Sequence, residues 1–159
     1  MRALKSVVLG LACLPLEAPA QAGASEGMTA SCHVVVSSLV FPPYDGAAHG
    51  RSSAIGTIQI DCPPDVEPSN PRISLSPGGS GRFAERQMTS GKESLRYNLY
   101  LGPSHLRVIG DGSGGSEAMT AASAHSPSRA VFTIYGRILA GQAVSPGQYS
   151  DDLTIQMEF

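Results

Sequence analysis

An all-β sandwich is the fold class this sequence predicts, on three observations. Eighteen glycines and twelve prolines in 159 residues leave little room for long helices. Between these breakers lie short runs rich in Val, Ile, Thr, Tyr and Phe, several of them alternating apolar and polar residues with period two. The runs recur at short spacing along a chain long enough for one core, which suits a sandwich better than a bundle or a wound α/β sheet.

The first segment stands apart from that pattern. Arg2 and Lys5 form a basic start, and residues 6–16 (SVVLGLACLPL) form an apolar run too short to span a bilayer, which needs ~20 residues. Small residues follow, at Ala18, Ala20 and Ala22. This is the layout of a secretory signal peptide over residues 1–22, with cleavage after Ala22 and Ala20 or Ala24 as alternatives. A lipid-modified Cys13 fits less well, because Gly10 stands where a lipoprotein signal carries a larger aliphatic residue. No other apolar run approaches membrane-spanning length, so the mature chain is expected to be exported and not inserted in a membrane.

Residues 23–31 (GASEGMTAS) are small and polar apart from Met28 and read as a lead-in; the domain proper is expected over 32–159. Residues 32–36 (CHVVV) are rich in β-branched side chains, and Leu39 and Phe41 follow before the turn at 42–46 (PPYDG). Residues 55–62 (IGTIQIDC) form a second strand with Ile58, Ile60 and Cys62 on one face, stopped by Pro63 and Pro64. Residues 72–76 (RISLS) form a third, ended by Pro77, Gly78 and Gly79. Residues 95–101 (LRYNLYL) alternate cleanly, 106–109 make a short run, and 110–115 (GDGSGG) a loop. Residues 117–130 are Ala-rich but contain Pro127 and read as a loop, with at most a helical turn. Residues 130–138 (AVFTIYGRI) are another strand. The last is the most regular: Leu153, Ile155, Met157 and Phe159 alternate with Thr154, Gln156 and Glu158, predicting one buried and one wet face.

Export gives the cysteines their meaning. With Cys13 removed, Cys32 and Cys62 are left in an oxidising compartment, where two thiols pair as a disulfide. A metal pair is the weaker alternative: His33 adjoins Cys32, but neighbours on a strand point to opposite faces. The remaining chemistry is sparse. His33, His49, His105 and His125 are scattered and make no ligand pair. Asp151 and Asp152 are adjacent, so on a strand they cannot share a substrate; a strand-start role suits them. The 110–115 loop lacks the Lys-Ser/Thr ending of a phosphate loop. A formal charge of −2 argues against nucleic acid as a partner. No catalytic constellation and no cofactor site are expected.

Several blocks, in this order, carry a resemblance: 32–41 (CHVVVSSLVF) with Tyr44 and Asp45, 56–62 (GTIQIDC), 73–81 (ISLSPGGSG), 86–88 (RQM), 95–100 (LRYNLY), 110–112 (GDG), 135–138 (YGRI), Gly141, Gln142, Pro146, Gly147, 149–151 (YSD) and the terminal Phe159. Together they resemble the spore coat protein U domain, shared with subunits of archaic (Csu-type) chaperone–usher pili. The resemblance implies an incomplete immunoglobulin-like sandwich lacking its final strand and completed by a strand from another protein. The groove would lie beside the C-terminal strand, edged by Leu153, Ile155, Met157 and Phe159. It also implies a periplasmic chaperone, an outer-membrane usher and other pilus subunits as partners, a structural role in a surface fibre or spore-coat-like assembly, and a place at the cell surface. Polymerising members carry an N-terminal extension of alternating apolar residues. Residues 23–31 offer only Met28, so a terminal adhesive subunit that accepts a strand and donates none is the alternative.

Overall fold

The computed structural model describes residues 32–46, 52–63, 71–120 and 128–158. The expected signal segment over residues 1–22 with its cleavage site Ala22, the lead-in with Met28, His49, His125 and Phe159 lie outside them.

Among the described residues, eight strands form two antiparallel sheets. The larger has the order β1 (His33–Val36), β2 (Ser52–Asp61), β7 (Arg129–Ile138), β5 (Glu93–Tyr100), β4 (Arg86–Ser90). The smaller has the order β6 (Met119–Thr120), β3 (Arg72–Leu75), β8 (Ile155–Glu158). In an immunoglobulin-like sandwich one sheet runs A-B-E-D and the other C-F-G. Here β1, β2, β7 and β5 occupy the A, B, E and D places, and β3 and β8 the C and F places. Among the described residues no strand fills the G place beside β8.

Period-two alternation builds the core. Ile58 and Ile60 of β2 face inward with Ala130, Phe132, Ile134 and Ile138 of β7 and Leu95, Tyr97 and Leu99 of β5. Ile73 and Leu75 of β3 close on them from the other sheet. The segment after β1 completes the packing without being a strand. Gly136 has no side chain because Phe41 and Leu39 lie on it: a Cβ there would come within 2.8 Å of Phe41 Cζ and 2.9 Å of Leu39 Cδ2. Phe41 then meets Tyr97 edge-on, with ring centres 6.0 Å apart. Tyr44 ends the crossing. Its hydroxyl donates to Leu139 O and accepts from Gln142 N.

Four elements depart from the sequence reading. β4 was not expected as a strand. Residues 106–109 form no strand, only isolated bridges, Val108 to Tyr100 and Ile109 to Glu117. Residues 119–120, expected in a loop, add a two-residue strand to β3. The terminal strand is shorter than its alternation suggests: Ser150 bridges to Thr89 of the large sheet, and only from Ile155 does the chain run beside β3.

Cys32 and Cys62 are bonded. They are the next pair beyond His33↔Asp61 in the β1–β2 ladder. Ser37 N donates to Thr57 O, so the hydrogen-bonded pairs are 37↔57, 35↔59 and 33↔61, and 32↔62 is a close, non-hydrogen-bonded pair. Their Cα atoms are 4.1 Å apart.

Candidate functional site

The site is the edge of the sandwich that no described strand covers, and it starts from how β8 is held. Ser76 N donates to Thr154 O at 2.9 Å, and Thr154 N to Ser76 Oγ at 3.0 Å. Asp151 accepts from the Tyr97 hydroxyl at 2.7 Å and from Gly79 N at 2.9 Å. One carboxylate thus ties the approach to β8 to β5 and to the turn after β3. Burial, then the Asp151 carboxylate, push the Tyr97 phenol far above its ordinary range, so it remains a donor. Just upstream, Glu93 accepts from Ser145 N, Ser145 Oγ and the Tyr149 hydroxyl. The Ser145 bonds, then that of Tyr149, hold the Glu93 carboxyl below its ordinary value. Asp152 is exposed, so the Asp pair acts through Asp151 alone, at the start of the strand.

Beyond these anchors, register decides which groups are satisfied. Given the 76–154 bond, the hydrogen-bonded pairs of the β3–β8 ladder are 74↔156 and 72↔158. The backbone N–H and C=O of Ile155 and Met157 therefore point away from β3, toward the empty place. The side chains of these two residues face the core but are only half-buried, although their ladder partners Leu75 and Ile73 are fully buried.

The edge of the other sheet repeats the arrangement. Val34 and Val36 lie opposite Ile60 and Ile58, in non-hydrogen-bonded pairs, so their backbone groups also point outward. Ile58 and Ile60 are fully buried, Val34 is half-buried and Val36 is 50% exposed. Cys32, Val34, Leu153, Ile155 and Met157 all pack against the same core. Two edge strands, one in each sheet, thus present apolar side chains and unpaired backbone groups from the same residues.

Of the residues expected at the groove edge, Ile155 and Met157 lie on β8. Leu153 lies just before it, half-buried, and Phe159 is outside the described residues. His33 and His105 lie on separate elements. The sequence reading missed Arg86, which is fully buried. It donates to Ser76 O at 2.8 Å, Ile109 O at 2.8 Å and Asn98 Oδ1 at 2.9 Å, and lies over the Phe83 ring. It therefore joins β4, β5, the end of β3 and the 110–115 loop. Burial lowers its guanidinium pKa from the ordinary arginine value, and it remains charged. The signal available was its spacing: Arg86 and Met88 share the inward parity of an alternating strand.

The fold and this edge define a class, an immunoglobulin-like sandwich with one strand place open. A family model for the Spore Coat Protein U domain matches residues 18–156. The chain belongs to that family. No curated protein matches it significantly. Among solved structures it is similar to a chain in the crystal structure of the CsuC–CsuE chaperone–tip adhesion subunit pre-assembly complex, from the archaic chaperone–usher Csu pili of Acinetobacter baumannii. The TM-score is 0.59 at 20% identity, over 81% of this chain and 40% of that one. This chain thus spans less than half the length of that neighbour.

Proposed function

We propose that this protein is an exported structural subunit of a chaperone–usher surface fibre, and that it accepts an extended strand from a partner along the free edge of β8. One observation carries the reading: Val34, Val36, Ile155 and Met157 each combine an incompletely covered, core-facing side chain with backbone groups aimed into the open strand place. A strand laid there would pair with those backbone groups and cover those side chains, the two sources of affinity and selectivity in strand addition. The structural neighbour comes from a chaperone–subunit complex, which supports a periplasmic chaperone as the first occupant. A neighbouring subunit, delivered through an outer-membrane usher, would be the second. The role is assembly rather than catalysis. It requires removal of residues 1–22 on export, which N-terminal sequencing of the mature protein would check by finding Gly23 first.

A second reading, a terminal subunit that accepts but does not donate, is favoured by the composition of residues 23–31. A donor needs several large apolar side chains at period two, and Met28 is the sole one there.

The test is co-expression with the periplasmic chaperone of the same assembly, followed by co-purification. Ile155→Asp and Met157→Asp should abolish capture, because each would bury an unpaired carboxylate under the incoming strand. Val35→Asp, on the opposite face of β1, should leave capture intact. A soluble monomer that binds no chaperone and no donor peptide would refute the proposal.

A further inference from the structure

The outer face of the large sheet, turned away from the core and the open edge, holds two cations that no carboxylate among the described residues pairs with. Residues paired across an antiparallel ladder share a face. Ser53 and Arg137 therefore share the outward face of β2 and β7, with the buried Asn98 opposite Arg137 on β5, and Ile55, Tyr135 and Tyr100 form the next row. Arg96, two residues before Asn98, lies on the same face, diagonal to Arg137.

Arg137 is half-buried, yet its guanidinium makes no hydrogen bond or ion pair among the described residues, and its Nε is buried without a partner. Asn98, opposite, cannot serve it. Its oxygen is held by Arg86 and Leu99 N, and its amide donates to Phe83 O and Ala84 O. Arg72, Arg82, Arg107 and Arg129 each have a carboxylate within 4.0 Å. Arg96 has none among the described residues; its Nε reaches only Gln142 Oε1, at 3.4 Å. Two guanidiniums with no carboxylate partner among the described residues thus sit diagonally on one face of a chain with net charge −2. Like charges so placed repel, and an anion bridging them relieves the repulsion. Beside them runs the apolar row: Ile55 is 64% exposed, Tyr135 and Tyr100 are half-buried, and Tyr100 is braced edge-on by His105 at 5.0 Å.

We propose that this face binds a carboxylated polysaccharide, with a sugar carboxylate bridging Arg137 and Arg96 and the C–H face of the pyranose resting on Tyr135 and Ile55. The charge pair alone would suit any anion. The aromatic and aliphatic row next to it supplies what a sugar ring needs, and a face several strands wide suits an extended chain better than a small ion.

The test uses the mature protein, purified with any partner strand retained, since the open edge lies on the other side of the sheet. Binding is measured at low ionic strength to a polyuronate and to polysialate, with neutral dextran and polyglutamate as controls. At least one carboxylated polysaccharide should bind, and dextran and polyglutamate should not. Arg137→Gln and Arg96→Gln should each weaken binding about tenfold, equivalent to ~1.4 kcal/mol. Tyr135→Ser should weaken it too, and Arg129→Gln, at the far end of the same face and paired with Asp61, should leave it unchanged. Unchanged unfolding midpoints would show that the variants fold. Binding to neither polysaccharide, equal binding to polyglutamate, or an Arg137→Gln protein within twofold of the parent would each overturn the proposal.

Discussion

β3 and β8 run side by side with apolar residues at matched register, Ile73 opposite Met157 and Leu75 opposite Ile155, yet one pair is fully buried and the other half open. The side chains are of similar size and face the same core. The difference is position: β3 has β6 on one flank and β8 on the other, whereas β8 has β3 on one flank and no strand on the other among the described residues. β2 and β1 repeat the lesson in the large sheet. A strand's apolar face is therefore a statement about which way it points, and its burial a statement about its neighbours.

The widest separation expected is between truncations of the two paired strands. Ile73→Ala should destabilise the domain by ~2–5 kcal/mol, the usual range for a large side chain removed from a packed core. Met157→Ala should change the stability of the subunit alone by about 1 kcal/mol, because much of that side chain is already wet. Urea denaturation of the subunit alone measures both, and equal losses would show that β8 is as covered as β3. With a donor peptide bound, the Met157→Ala loss should grow.

The disulfide tests how far the β1 edge depends on its tether. β1 has four residues and a single paired neighbour, so Cys32→Ala/Cys62→Ala should cost ~2–5 kcal/mol. The measurement is again urea denaturation, with thiol titration of the unreduced, unfolded parent, which should find no free thiol in the mature chain.

Arg86→Met should cost ~1–3 kcal/mol, because it leaves Asn98 Oδ1 and the carbonyls of Ser76 and Ile109 to be satisfied by other means. It should loosen the 110–115 loop before it disturbs β8, which hydrogen exchange of the two segments would resolve.

The smallest effect is expected at Glu93. Its carboxyl is held below the ordinary value in the folded chain, so its contribution is present above the unfolded pKa of about 4.3 and is lost as pH falls through the lower folded value. The thermal midpoint should fall on acidification through that window, and Glu93→Gln should flatten the fall. An unchanged slope would show that Ser145 and Tyr149 are not held through this carboxylate.

Local alternation was enough to mark the strands whose pattern is long and sharply bounded, β2, β3, β5 and β7. Period two is a local property of the chain, and Gly and Pro end a run wherever it lies. The Cys32–Cys62 pairing was legible too, since the expected removal of Cys13 on export would leave two thiols. The blocks 56–62, 95–100 and 135–138 made the family legible as well. The rest came from contacts between residues far apart in the chain. β4 was hidden because five residues beginning with a buried arginine do not look apolar. The terminal run changes neighbours near residue 150, where Asp151 meets Tyr97 and Gly79, groups distant in sequence. Leu39 and Phe41 found their place over Gly136, which alternation marks only as an inward position without a side chain. Above all, the half-open state of Ile155 and Met157 could not be read from their alternation, because periodicity records the two faces of a strand and is silent about how many strands flank it.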